Sequence, residues 1–160
     1  LGYRVDLQLV QKSDAEFICG LRSNLKLNRY LSRSASNVTA QEAWIESYKI
    51  REELGQEFYF IISTKQQEPC GVVRIYDVQE EHFTWGSWML ADNKPKKAAL
   101  DSAILVYEFG FNTLNLPKSV FQVDINNLHT IKFHQRFGAL LIENDGKNMN
   151  FEYHREQFIK

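Results

Sequence analysis

The chain of 160 residues is 44% hydrophobic and 24% charged, close to an ordinary soluble domain. Its 19 basic residues against 20 acidic ones leave a net charge of −1, so no global basic field favours nucleic acid or an anionic membrane. Aromatic residues at 13% exclude a solvated, disordered chain, and no apolar run is long enough to span a bilayer as a helix. The length predicts a single domain over 1–160 that buries roughly 70% of its unfolded surface. Leu1-Gly2-Tyr3-Arg4 carries no apolar stretch of a secretory signal. Cys19 and Cys70 form neither a CxxC nor a disulfide framework, so the expected setting is the reducing cytoplasm.

Strict alternation of Val5, Leu7 and Leu9 predicts a first strand with one buried face. Ser13-Asp14-Ala15-Glu16 reads as a capping box that starts a helix through about Leu21. The polar, serine-rich segment Arg22 to Asn37 reads as a loop or broken helix over a cleft. A second capping box, Thr39 to Glu42, leads a helix up to Glu53.

Three strands follow, Glu57–Ser63, Gly71–Val78 and His82–Leu90, joined by short polar turns, which predicts an antiparallel meander. The period then changes. Leu100, Ala103, Ile104, Tyr107, Phe111 and Leu114 recur at three and four residues, predicting one long amphipathic helix against a sheet. Val120–Asp124 is a short strand, Asn126 or Asn127 caps a helix ended by Gly138, and Leu140–Ile142 with Met149–Tyr153 form a hairpin. The result is a mixed α/β (α+β) domain with a locally parallel crossover from about Trp85 to Asp124.

This order, with the stretch Asn127-Leu128-His129-Thr130-Ile131-Lys132-Phe133-His134-Gln135-Arg136-Phe137-Gly138, resembles the GNAT superfamily of N-acetyltransferases and its Asn-x-x-Ala-x-x-x-Tyr-x-x-x-Gly signature. Asn127 and Gly138 match, Thr130 replaces the small residue, and His134 stands where the tyrosine is expected. Trp85-Gly86-Ser87-Trp88-Met89-Leu90 resembles the family's fourth strand, and Phe111 to Leu116 is similar to the end of the third helix in the ribosomal-protein-acetylating branch. The resemblance implies a mixed, mostly antiparallel sheet of about six or seven strands. It also implies a V-shaped splay between strands 4 and 5 and about four flanking helices. One departure stands: Asp92 to Ala99, at the position of the acetyl-CoA loop, contains no glycine.

On that resemblance, the function is direct acetyl transfer from acetyl-CoA, the co-substrate, to a primary amine. Acceptors include an amino sugar, a protein N-terminus or a small amine. The alternative is a non-catalytic acyl-CoA-binding module of the same fold, which the missing glycines favour. A homodimer is a compatible assembly. Ser87, Trp88, Met89 and Leu90 would offer backbone groups to the pantetheine arm, with Asn127 and Phe133 beside it.

Lys94, Lys96, Lys97 and Ala98 precede or open the long helix. Lysines there oppose the helix dipole unless phosphates bind at the same end; a solvated lysine turn is the plain alternative. His134 lies two turns after Asn127 and is the expected proton donor to the leaving thiolate, since imidazole ordinarily titrates near neutral pH; a satisfied histidine is the alternative. Asp124, at a strand end, is the expected base, with Glu80, Glu81 and His82 as competitors. Arg22, Asn24, Tyr30, His82 and Trp85, with Asn28 and Arg29, are expected on the acceptor side. His82, His129, His134 and His154 make no metal-ligand spacing, so no metal is expected.

Overall fold

The structure is a computed structural model that describes residues 3–24 and 37–158. Strands β1 (Val5–Leu9), β2 (Phe58–Thr64), β3 (Pro69–Tyr76) and β4 (Thr84–Leu90) form an antiparallel sheet in that order. The β2 run Phe58-Tyr59-Phe60-Ile61-Ile62 is apolar throughout because both of its faces are covered. Phe60 and Ile62 enter one core, and Tyr59 and Ile61 enter the other.

Helices α1 (Ala15–Arg22) and α2 (Val38–Glu53) close the Tyr59 face with Ile18, Leu21, Ile45 and Tyr48. Helices α3 (Ala98–Glu108) and α4 (Leu128–Phe137) close the opposite face with Ala103, Val106, Tyr107 and Ile131. Strands β5 (Lys118–Asp124), β6 (Leu140–Asn144) and β7 (Asn148–His154) form a second sheet, ordered β5-β7-β6, and a one-turn helix α5 (Arg155–Phe158) follows. The expected mixed architecture is present, with seven strands and five helices among the described residues.

Neither helix is capped by the residue expected. A 3-10 turn at Lys12–Asp14 precedes α1, and the Asp14 carboxylate accepts from the Gln11 N–H at 2.8 Å, so Ser13 is not the cap. The α2 cap is Asn37, whose side-chain oxygen accepts from the Ala40 N–H at 2.7 Å, rather than Thr39. Asparagine at this position competes well because its short carbonyl reaches the third helical N–H without displacing the chain. The long helix also ends differently: α3 gives way at Phe109–Thr113 to a single π-helical turn. That turn carries Gly110, where a Cβ would collide with the Phe83 ring. The glycine therefore lets the start of β4 pack directly against the helix.

The two sheets meet at one place. Phe83 bridges Ser119 in parallel, with Phe83 N–H donating to the Lys118 carbonyl at 3.2 Å and Val120 N–H to the Phe83 carbonyl at 2.9 Å. Beyond that bridge β4 and β5 belong to separate sheets, so the strands part as a wedge.

Candidate active site

The wedge has a bulge on one wall. Gly86 pairs with Arg74 and Met89 with Val72, so Ser87 and Trp88 together face the single residue Val73. Ser87 takes a left-handed backbone, φ 49°, which turns the strand at that point.

On the α4 side the wedge encloses a slot of about 90 Å³ lined by Trp85, Ser87, Trp88, Phe121, Asp124, Asn127 and His134, among others. On the opposite face, a cavity of about 410 Å³ is lined by Tyr76, Thr84, Gln122, Asn150, Glu152 and neighbours. Phe121 and Gln122 border both. The alternation of β5 explains this division, since Phe121 and Val123 are buried while Gln122 is exposed.

His134 sits in an aromatic box. Its ring centroid is 4.4 Å from Phe121, 5.4 Å from Trp85 and 5.6 Å from Phe133. It is only 4% exposed, and its Nδ1 has no hydrogen-bond partner. Burial lowers its pKa to about 3, which corrects the expectation of titration near neutral pH. At neutral pH the ring is uncharged, with one N–H to donate and one lone pair to accept.

The remaining expected residues divide clearly. Trp88 lines the slot, donates its indole N–H to Ser102 Oγ at 3.1 Å and packs against Phe133 at 5.1 Å. Asn127 lines the slot and caps α4, accepting from the Thr130 N–H at 3.4 Å, so the cap and the site are the same residue. Asp124 lines it too, with Oδ1 accepting from the Asn126 N–H at 2.8 Å. Leu90 ends β4 against the α3 core, whereas the Met89 side chain points into the α1–α2 core.

Lys94, Lys96 and Lys97 are exposed in the turn before α3 and make no ion pair among the described residues. Ala98 opens the helix and is buried. Lys97 itself adopts φ 65°, ψ 16°, a left-handed conformation that suits glycine. The turn thus keeps a glycine-like backbone without a glycine.

On the acceptor side the outcome is mixed. Trp85 belongs to the α3–α4 core and lines the slot, donating its indole N–H to Tyr107 Oη at 3.2 Å, so it does not share a face with Arg22. His82 lies in the turn before β4, its carbonyl accepting from the Gln79 N–H, and borders neither the slot nor the cavity across the sheet. Arg22 ends α1 beside the Tyr59 hydroxyl, and Asn24 follows in the same turn. Tyr30, Asn28 and Arg29 lie outside the described residues. Sequence reading missed Tyr76, Thr84, Gln122, Asn150 and Glu152; the signal available was the polar residue between Phe121 and Val123.

No group of three His, Cys, Asp or Glu among the described residues is placed to hold a metal, and no helix among them is long and apolar enough to cross a membrane.

A parted parallel strand pair with a bulge at its mouth and a helix start beyond it is the central feature of this mixed α+β domain. The sequence matches the family model for the Acetyltransferase (GNAT) domain over residues 4–140. The chain belongs to the GNAT family of acetyltransferases. Its fold matches the solved structure of apo FdhC, a nucleotide-linked sugar GNAT, with TM-score 0.90 and 41% identity, covering 99% of this chain and 94% of that one. It also matches the spermidine N-acetyltransferase from Vibrio cholerae, solved with CoA and spermine, at TM-score 0.84 and 16% identity, covering 98% and 99%. At that lower identity only the fold is shared. No curated protein matches the sequence. The likeness of Phe111 to Leu116 to the ribosomal-protein-acetylating branch finds no support among these neighbours, which are sugar and spermidine acetyltransferases.

Proposed function

We propose that the protein transfers an acetyl group from acetyl-CoA directly to the primary amine of an amino sugar. The observation that carries this reading is the wedge between β4 and β5, with a slot on one face and a wider cavity on the other sharing Phe121 and Gln122. A thioester entering on the α4 side and an amine entering across the sheet would meet between them. The GNAT-family membership supports acetyl-CoA, and the 41% identity to a nucleotide-linked sugar GNAT supports a sugar acceptor.

The slot fits the thioester arm. Unlaced backbone on β4 beyond Phe83 can hydrogen-bond pantetheine, and the lysine turn with the first N–H groups of α3 suits its phosphates. Acetyl-CoA supplies an activated acyl group there. Asp124 accepts the proton that the amine loses as the C–N bond forms, directly or through water. Backbone N–H groups at the Ser87 bulge face the oxygen that gains charge. His134, neutral, donates a hydrogen bond toward the sulfur as the C–S bond breaks, and solvent supplies the thiol proton.

Release of free thiol from acetyl-CoA tests the reading, using glucosamine, UDP-glucosamine, spermidine and a short peptide as acceptors. Turnover with an amino-sugar acceptor supports it. Turnover with spermidine or the peptide alone overturns it.

A further inference from the structure

A cluster of cations stands on the α1–α2 face and reaches the wider cavity through Tyr76. Its anchor is Glu57, a carboxylate only 7% exposed just before β2. Arg51 of α2 donates Nε to Glu57 Oε1 at 2.9 Å, and its guanidinium lies over the Trp44 ring at 5.4 Å. Arg74 of β3 brings Nε within 3.1 Å of Glu57 Oε2, yet the pair lacks the angle of a hydrogen bond, so both buried atoms stay without one. The Arg74 guanidinium stacks on Tyr76 at 4.2 Å, and Tyr76 is a wall of the cavity.

Arg74 is therefore held at its stem and stacked on its face, while its terminal amino groups donate no hydrogen bond among the described residues. Its side chain remains 26% exposed. Arg22 adds a third guanidinium close to the Tyr59 hydroxyl, which also feels Arg74 and Glu57. At the cluster Arg51 and Arg74 share the Glu57 carboxylate, while on the cavity wall Asp77 accepts from Gln79 Nε2 at 2.6 Å and Glu152 pairs with Lys118 and His154.

A planar guanidinium fixed at Nε and stacked on an aromatic ring presents its outer N–H pair in the fork that matches a phosphate.

We propose that Arg74, braced by Glu57 and Tyr76, reads a phosphate group carried by the acceptor, so that the amino sugar arrives as a phosphate or diphosphate ester. This deepens the amino-sugar reading and rests on it for the identity of the amine. Arg51 is the brace of the brace: it shares the charge of Glu57 and leaves Arg74 free to face outward.

The test is binding, with turnover as a second arm. With coenzyme A saturating so that its own phosphate site is filled, calorimetry measures UDP, inorganic pyrophosphate and glucosamine 1-phosphate on the wild type and on Arg74→Gln and Arg74→Lys. The expected result is that at least one of these anions binds and that Arg74→Gln weakens it roughly 10- to 100-fold, with Arg74→Lys intermediate. UDP binding without glucosamine 1-phosphate binding identifies a diphosphate reader, and the reverse a monophosphate reader. Coenzyme A binding should be the same in all three proteins, which shows that the variants are folded. In turnover, Arg74→Gln should raise KM for UDP-glucosamine or glucosamine 1-phosphate and leave glucosamine unaffected.

The proposal is overturned if no anion binds the wild type, or if Arg74→Gln binds it equally well. If anion binding depends on Arg74 but no amino sugar is acetylated, the phosphate site stands and the amino-sugar reading falls. If free and phosphorylated amino sugars are acetylated alike and Arg74→Gln alters neither, the amino-sugar reading stands and the phosphate site falls.

Discussion

The two faces of the parted sheet differ in the size of the cavity they hold and in most of the residues that wall it. Toward α4 the slot of about 90 Å³ is walled by Trp85, Trp88, Phe121 and His134, with aromatic rings in mutual contact. On the opposite face the cavity of about 410 Å³ is lined by Tyr76, Thr84, Gln122, Asn150, Ile142 and Phe151, and the Arg74 guanidinium stacks on Tyr76. One strand makes the division, because the alternation of β5 sends Phe121 to the first side and Gln122 to the second. The lesson is economical: a narrow compartment and a wide one can share a wall one residue thick. Within the slot, burial among these rings lowers the His134 pKa to about 3.

Removing the donor in the slot should produce the largest change. His134→Phe keeps an aromatic ring among aromatics, so acetyl-CoA should still raise the melting temperature. The rate constant kcat should fall by roughly 10²-fold, toward the low end of proton-transfer and hydrogen-bond contributions, because the neutral ring donates without transferring its proton. His134→Tyr should recover most of the rate, since a phenol also donates. Steady-state kinetics with the best acceptor reads the ranking. Equal turnover of Phe and His would make the slot purely a packing device.

The same residue sets an acid limb of stability. Its folded pKa near 3 lies below the ordinary histidine value of 6.5, so the unfolded chain binds the proton first. The stabilisation is fully present above about pH 6.5 and drains as pH falls toward about 3, at about 1.4 kcal/mol per pH unit. Denaturant melts of wild type and His134→Phe across that window should diverge from parallel, the variant being flatter. Parallel curves would mean that the ring gains water before the protein unfolds.

How far this division was legible in sequence depends on how local its causes are. The order of strands and helices follows from periodicities of two and near 3.6, so it could be read directly. The slot residues Ser87, Trp88, Asn127 and His134 lie in two short stretches whose spacing carries the signal, and Asp124 ends a recognisable strand. The cavity is different, because Tyr76, Thr84, Gln122 and Asn150 come from four strands. Each reads alone as the solvent face of its strand, and only the pairing of β5 with β7 and the meeting of β3 with β4 bring them together. Trp85, expected on the acceptor side, lines the slot for a related reason: the side a residue faces beside a bulge depends on register, which alternation alone does not fix. The burial of His134 was likewise invisible, since it needs rings from β4, β5 and β7 at once.

The outer end of the slot offers a smaller test. Lys96→Glu with Lys97→Glu reverses two exposed charges before α3. Exposed charge pairs contribute about 0.2–1 kcal/mol each, so affinity for coenzyme A should fall roughly tenfold. Pantetheine lacking the phosphates should bind the variant unchanged, and KM for the acceptor should not move. Calorimetry with both ligands separates the cases. Equal losses would place the effect in the fold of the turn rather than in phosphate binding.

Lys97→Gly gives the smallest effect and the most discriminating one, because stability and affinity should move in opposite directions. A lysine at φ 65° carries a left-handed penalty of about 1–2 kcal/mol that glycine does not. Glycine in turn loses roughly 0.5–1 kcal/mol through the freer unfolded chain. The balance favours the variant by up to about 1 kcal/mol, or a rise of about 2–4 °C in melting temperature for a domain of this size. Losing one positive charge should weaken coenzyme A a few-fold over the same substitution. The acceptor cavity lies on the other face of the sheet and should register neither change. A rise in melting temperature with weaker coenzyme A binding would show that the turn holds a strained backbone for the sake of its charge. A fall in melting temperature would show that the lysine side chain itself, rather than the backbone it distorts, secures the start of α3.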